Sequence, residues 1–326
     1  MTLQPAHRPL RAGAREHAYR LFARLYREGL SPGAREEVEG IPALAEALPA
    51  ELSREAAAAE HHALFGLQVF PYGGVFLDFH GRVAGASADP VRSAIAWVGE
   101  PADLSGEAPD HVSRVLELLA SLSARRDGGE EAGQGASAEA AEEATARVRG
   151  LLDGHLLWWL PAFVLAVQEE TLPFWSVVAE LTLDAVVDHR SELPGVVPAR
   201  GPLPKPMVPA VGDEGPDLAG VARYLAAPAR CGIYLSAATI RELGRARRLP
   251  SGFGSRLRLL KNLLASAIEY DGLGNLLRTL RAKIWTAEAT YRDVAKRHPP
   301  VEAVSAAWAE RLEATDRLLS AVRDAV

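Results

Sequence analysis

Apolar side chains recur every three to four positions over most of this chain, which is the spacing of one face of an α-helix. The segment from His17 to Arg27 is an example, with its apolar residues at Tyr19, Leu21, Phe22, Leu25 and Tyr26. Strictly alternating apolar and polar residues are rare, and valine and isoleucine are sparse. The sequence therefore predicts an all-α fold with no sheet of more than two short strands.

Changes in composition divide the 326 residues into several parts. We predict a disordered N-terminus at 1–14, helical lobes at 15–124 and 147–200, a Pro/Gly-rich linker at 201–216 and a helical extension at 217–326. The two lobes are separated by a low-complexity acidic segment at 125–146. We expect this segment to be mobile in its first half, helical toward its end and sensitive to proteases.

Charge is distributed unevenly along the chain. Residues 1–213 contain 18 Lys and Arg against 30 Asp and Glu, a net charge of −12, whereas residues 214–326 have a net charge of +6. An acidic front half favours a basic partner segment and fits nucleic acid poorly. Attraction between the two halves of the chain is the alternative explanation, and the sequence leaves both open.

Cysteine content and hydropathy indicate the compartment. A single cysteine, Cys231, rules out an intramolecular disulfide framework and a cysteine-built metal site. The first 15 residues lack the apolar core of a signal peptide, and the apolar run from Leu156 to Val167 is shorter than a membrane span. We predict a cytoplasmic protein without stable membrane insertion.

Two neighbouring segments are the most distinctive part of the sequence. Residues 65–85, FGLQVFPYGGVFLDFHGRVAG, change from an apolar helix end into an aromatic, glycine-rich loop. About twenty residues later, Glu107-Ala108-Pro109-Asp110-His111 places a proline and an acid where a new helix begins. Alternation in the loop would put Tyr72, Gly74 and Phe76 on one side, and Val75, Leu77 and Phe79 on the other.

These two motifs resemble the YxSVYLD and ExPDH patterns of the TorD/DmsD/NarJ family of molybdoenzyme chaperones. The matching residues are Tyr72, Val75, Phe76, Leu77, Asp78, Glu107, Pro109, Asp110 and His111. A further match, around His155, Trp159, Pro161 and Phe163, resembles the second lobe of the family. The resemblance covers residues 15 to about 190, and it departs from the family at Gly74, where serine is usual.

The resemblance implies a two-lobed TorD-like helical bundle, here followed by a C-terminal all-helical extension. It implies a cytoplasmic chaperone that binds the twin-arginine signal peptide, the apo form of a molybdopterin oxidoreductase, or both. Such a chaperone assists cofactor insertion and holds the apo-molybdoenzyme catalytic subunit back from export, as a monomer or a lobe-swapped homodimer. The implied peptide-binding residues are Tyr72, Phe76, Asp78, Glu107, Pro109, Asp110 and His111.

Alternatives remain at several points. Asp110 and His111 either line a peptide groove or only stabilise a helix start. The chain as a whole is alternatively a helical interaction scaffold or regulator without chaperone activity. A metal site is conceivable from residue types alone, at Glu60, His61, His62, Asp78, His80, Asp110 and His111. However, His61 and His62 point about 100 degrees apart on a helix, so we predict no metal.

Catalysis is not predicted either. No nucleophile stands at readable spacing from a general base, and no G-x-x-x-x-G-K-[ST] phosphate loop is present. Basic residues between 241 and 261 lack the interleaved aromatic residues that typify nucleic-acid binding. The sequence predicts neither an enzyme nor a bound cofactor.

Overall fold

The computed structural model describes residues 12–49, 53–99, 106–132, 135–212 and 215–325. Within these residues the chain is helical, and its only paired strands are β1 (Val211–Gly212) and β2 (Gly215–Pro216), which form one antiparallel pair. The predicted all-α fold is confirmed. Most of the predicted disordered N-terminus, residues 1–14, lies outside the described residues.

The first part of the chain forms a group of helices around α1. These are α1 (Ala12–Glu28), α2 (Pro32–Glu39), α3 (Pro42–Ala47), α4 (Arg54–His61), α5 (Gly73–Leu77), α6 (Asp89–Val98) and α7 (Val112–Ala132). Ser31 and Ser53 cap α2 and α4 by accepting backbone N–H bonds from Ala34 and Ala56. The five apolar residues predicted for the first helix are all buried, as helical periodicity requires.

The second group of helices packs directly on the first. It consists of α8 (Gly135–Leu151), α9 (Leu157–Gln168) and α10 (Pro173–Ser191). The Tyr26 hydroxyl lies 3.1 Å from the Thr182 hydroxyl, and the Tyr19 hydroxyl lies 3.0 Å from Nδ1 of His189. Both tyrosines are on α1 and both partners are on α10, so buried polar contacts hold the two groups in register.

The described residues of the acidic segment at 125–146 are helical. Helix α7 continues to Ala132 and α8 begins at Gly135, and the two helices pack against each other. The mobility and protease sensitivity expected of this segment stay predictions. Alanine, glutamate and arginine are strong helix formers, so the low-complexity composition extends helices here instead of interrupting them.

Two π-helical turns interrupt the regular helices, at His62–Gln68 and Leu152–Leu156. The second turn leads into α9, which contains Pro161. Pro161 has no amide to donate to the carbonyl of Leu157, four residues earlier. The carbonyl of Leu157 therefore lacks the usual intrahelical bond at this point of α9.

Helix α9 belongs to the longest apolar helical stretch, Ala138–Gln168, which could cross a membrane by length and composition alone. However, 78% of its most apolar window is buried inside the protein. Side chains of α5, α10, α15 and α16 pack against α9. This helix is therefore the central core element of the fold.

The C-terminal part is helical, as predicted. It contains α11 (Leu218–Leu225), α12 (Pro228–Cys231), α13 (Ala237–Arg245), α14 (Arg256–Glu269), α15 (Leu273–Arg297) and α16 (Glu302–Asp324). Ser236 and Ser255 cap α13 and α14, as their positions before apolar segments indicated. Gly272 lies between α14 and α15, whereas Gly274 is the second residue of α15, which begins at Leu273.

The C-terminal helices pack on the rest of the protein through specific buried bonds. The indole N–H of Trp308 donates to the carbonyl of Trp158 at 2.9 Å, and the Tyr234 hydroxyl donates to the carbonyl of Gln68 at 2.6 Å. No helix or strand occurs between Ser191 and Val211. The buried guanidinium of Arg311 donates to the carbonyl of Pro204 in this segment, and thus ties it to α16.

Candidate functional site

The two sequence motifs lie against each other in the structure. The Gly73 amide donates to the Asp110 carbonyl at 2.9 Å, and the Val112 amide donates to the Pro71 carbonyl at 2.9 Å. Tyr72 and His111 form an isolated antiparallel bridge, and their rings meet edge to face at 4.8 Å between centroids. Segments about 35 residues apart in sequence are therefore one structural unit, which we call the motif junction (residues 71–85 and 107–113).

The glycine-rich loop contains a helix that the sequence did not indicate. Residues Gly73–Leu77 form α5, and all five are buried. The alternation predicted for Tyr72 to Phe79 is therefore wrong. The Asp110 carboxylate accepts the Gly74 amide at 2.8 Å in the first turn of α5, where an anionic acceptor stabilises a helix. Because Asp110 is far from Gly74 in the sequence, the local pattern could not predict α5.

Asp110 is the central residue of the motif junction. Its side chain is fully buried, and its second oxygen accepts the amide of Ala84 at 3.0 Å. Burial raises the pKa of the carboxyl, and the two backbone N–H bonds partly oppose that shift. The carboxylate thus joins α5 and the loop at Ala84 to the start of α7.

Gly74 is required by close packing. A β-carbon at this position would lie 2.1 Å from the carbonyl oxygen of Arg82 and 2.9 Å from the Asp110 carboxylate. Both distances are far shorter than van der Waals contact. The glycine that replaces the family serine at position 74 therefore allows the close approach of the Arg82 backbone.

Gly73 is confined in the same way by the second lobe. A β-carbon there would lie 2.6 Å from the His155 ring and 3.0 Å from the Trp159 indole nitrogen. His155 is fully buried, and its Nδ1–H donates to the carbonyl of Ser87 at 2.9 Å. The family-like residues of α9 and of the loop thus meet around one glycine.

The partly exposed edge of the motif junction is polar. The Tyr72 hydroxyl donates to the Glu107 carboxylate at 2.7 Å, and burial raises the pKa of this phenol. The Asp78 carboxylate accepts the amide of His80 at 2.7 Å and pairs with Arg82 at 3.5 Å. Glu107 and Asp78 therefore place acidic oxygens at the edge of the junction.

The predicted peptide-binding residues differ in accessibility. Tyr72, Asp78, Glu107 and Pro109 are partly exposed. Phe76 is fully buried and stacks between Trp159 and Tyr234. Asp110 and His111 are also buried, at 0% and 4% exposure. These three side chains expose too little surface to contact a peptide directly. Their burial favours an internal structural role.

His111 is held in its neutral form. Its Nδ1 lies 2.6 Å from the Ser113 hydroxyl and accepts the Ser113 amide at 3.2 Å. Burial lowers the pKa of His111 to about 4. Within the described residues, no three histidine, cysteine, aspartate or glutamate side chains come together as a metal ligand set.

Sequence reasoning missed the partners of the motif junction in the C-terminal extension. The Arg230 guanidinium lies over the Phe79 ring, 4.9 Å from its centroid, and Tyr234 stacks on Phe76. The local signals in residues 225–236, LAAPARCGIYLS, were one arginine, Arg230, and one aromatic residue, Tyr234. Their target on the loop depends on tertiary packing.

A comparison with known protein families found a match that includes the motif junction. Residues 28–165 match the family described as nitrate reductase delta subunit. This part of the chain is similar to that family. It is a family of TorD-like chaperones for redox-enzyme maturation, which act on molybdoenzyme catalytic subunits, and the predicted resemblance is thereby confirmed. No curated protein and no solved structure is significantly similar to the chain.

The nitrate reductase delta match includes the whole motif junction and ends inside α9. It therefore covers Gly74, Asp110 and His155, whose contacts fix the loop. Helices α10 to α16 lie beyond the matched residues.

Replacing Asp110 with asparagine tests its role in the junction. The amide keeps one acceptor oxygen, but its NH₂ group would face a backbone N–H that needs an acceptor. We expect Asp110→Asn to lower the free energy of unfolding by about 1.5–3 kcal/mol in urea titration, as for a buried charged hydrogen bond. The matched control is Asp89→Asn, in the exposed first turn of α6, with an expected loss below about 1 kcal/mol. Equal losses in the two variants would contradict the assigned role.

Proposed function

We propose that the protein is a chaperone that binds the twin-arginine signal peptide of an apo-molybdoenzyme catalytic subunit at the partly exposed edge of the motif junction. The main support for this proposal is that the two family motifs pack together. Buried Asp110 bonds the segments that carry Glu107 and Asp78, whose carboxylates are partly exposed. A basic peptide pair requires carboxylates held in a defined position. By this proposal the cytoplasmic chaperone retains its client until the cofactor is inserted.

The physical chemistry of the edge is consistent with this client. Tyr72 and Pro109 provide apolar surface beside Glu107. Residues 1–213 have a net charge of −12, which attracts a basic peptide over distances of about 10 Å at moderate salt. Phe76, Asp110 and His111 act in this proposal by positioning the edge.

Calorimetric titration with a twin-arginine peptide tests the proposal. We expect Glu107→Gln to weaken binding roughly three- to tenfold, because one partly exposed carboxylate partner is lost while Tyr72 keeps an acceptor. The loss should shrink as salt rises. The matched control is Glu313→Gln on α16, where the exposed carboxylate pairs only with exposed Arg317 among the described residues; its affinity should equal that of the wild type.

Two outcomes would contradict this assignment. Equal affinities for Glu107→Gln and the wild type would remove the acidic edge from the binding site. Absence of any peptide binding by the folded wild type would favour the alternative of a helical interaction scaffold without chaperone activity. Size-exclusion chromatography of the same samples tests the proposed monomer or lobe-swapped dimer.

A further inference from the structure

A groove lies between the motif junction and the C-terminal extension. Its volume is about 600 Å³, and Phe70, Val75 and Phe79 form its apolar floor on the junction side. Leu67 also lines it and is 54% exposed. Next to the lining residue Gly254, Phe253 is 87% exposed. Large apolar side chains are rarely left this accessible together unless a partner covers them.

The opposite wall of the groove carries arginines. Arg230 stacks over Phe79, and its Nε is buried without a hydrogen-bond partner among the described residues. Arg256 stacks over Tyr234 at 3.9 Å and donates to the backbone carbonyls of Leu235 and Ala226. Within the described part of the chain, neither arginine has a carboxylate partner.

The rest of the wall has the same sign of charge. Arg223 also lines the groove, and among the described residues it pairs with Asp217 alone, an exposed contact worth little. The N-terminus of α14, at Ser255 and Arg256, faces the groove and adds the positive end of a helix dipole. No aspartate or glutamate is among the described lining residues. Positive charge therefore predominates beside the apolar floor.

We propose that this groove binds an acidic, apolar peptide segment of a partner protein, whose carboxylates pair with Arg230 and Arg256 while its apolar side chains contact Phe79 and Phe253. Aromatic residues and arginine are the residue types that dominate binding at protein interfaces. A guanidinium already stacked on an aromatic ring is oriented to receive a carboxylate through two N–H bonds.

This site is separate from the acidic edge and does not depend on its function. The arginines would repel the basic end of a twin-arginine peptide, so the two sites select segments of opposite charge. Helices α11, α12 and α14 provide the arginine wall, and they lie outside the matched family region. The extension therefore adds a second recognition surface to the chaperone fold.

Fluorescence anisotropy of the full chain with a dye-labelled probe peptide tests the proposal. The probe alternates aspartate with leucine and phenylalanine, and the control peptide has lysine at each aspartate position. We expect the probe peptide, but not the lysine control peptide, to bind with micromolar affinity. Arg230→Gln should weaken probe binding about tenfold, because a charged hydrogen bond is lost. Phe253→Ser should weaken it severalfold without affecting the fold, because Phe253 is almost fully exposed. Arg317→Gln, on α16 and 70% exposed, is the matched control with unchanged affinity.

Several outcomes would overturn the proposal. These are absent probe binding, equal binding of the lysine peptide, or equal probe affinity for Phe253→Ser and Arg317→Gln. Displacement of the probe by inorganic phosphate, beyond the effect of sodium chloride at equal ionic strength, would instead indicate a small-anion site. Dimerisation in sedimentation velocity that Phe253→Ser abolishes would indicate that a second copy covers the groove. Unchanged twin-arginine peptide binding in Arg230→Gln confirms that the two sites are independent.

Discussion

Restoring the family serine by Gly74→Ser should destabilise this protein by roughly 3 kcal/mol, the sum expected for overpacking and for a broken buried hydrogen bond. The added β-carbon would lie 2.1 Å from the Arg82 carbonyl oxygen, so the backbone at 82 must move. That movement separates the Gly74 and Ala84 amides that Asp110 holds together. Urea unfolding followed by tryptophan fluorescence measures the loss.

Two further variants isolate the cause. Gly74→Ala should lose as much as Gly74→Ser, because the β-carbon and not the hydroxyl makes the contact. Gly150→Ser is the matched control, since a β-carbon at this exposed helical position has no atom within 4 Å. We expect it to be neutral or slightly stabilising, by up to about 0.5 kcal/mol. A stable Gly74→Ser protein would show that the loop has room for the family residue.

Stability should fall steeply as the pH is lowered from 6.5 toward 4. Burial lowers the pKa of His111 and of His155 to about 4 and that of His189 to about 3, and the positive charges of Arg15 and Arg126 also lower the pKa of His189. In the unfolded chain these histidines titrate near 6.5. Between these values the unfolded state binds protons that the folded state does not, so stability is retained above pH 6.5 and lost below it.

The expected magnitude is about 1.4 kcal/mol per pH unit for each of the three histidines. Buried Asp110 and partly buried Glu170 have carboxyl pKa values that desolvation raises, and they act in the opposite direction by at most one proton each. Urea unfolding at pH 7, 6 and 5 measures the slope. His189→Gln should reduce the slope by one proton, since its amide can still bond the Tyr19 hydroxyl. Exposed His62→Gln is the control, and an equal unfolding free energy at pH 7 and 5 would contradict the prediction.

The candidate site was only partly readable from sequence. The sequence identified the motif around Tyr72 and the turn at Glu107 to His111, because each family motif consists of residue types at fixed short spacing. They did not distinguish partly exposed Glu107 from buried Asp110, since both are acids near a helix start. Exposure depends on what the rest of the chain places over a residue.

The sequence by itself determined the helical class, the serine caps at Ser53, Ser236 and Ser255, and the resemblance of residues 28–165 to a chaperone family. These follow from interactions within a few residues, such as apolar periodicity and side-chain capping. Only the tertiary structure decided that Gly74 must lack a side chain and that Arg230 faces Phe79. Those features arise from packing between segments far apart in the chain, where the neighbour of each residue is fixed by the whole fold and not by local pattern.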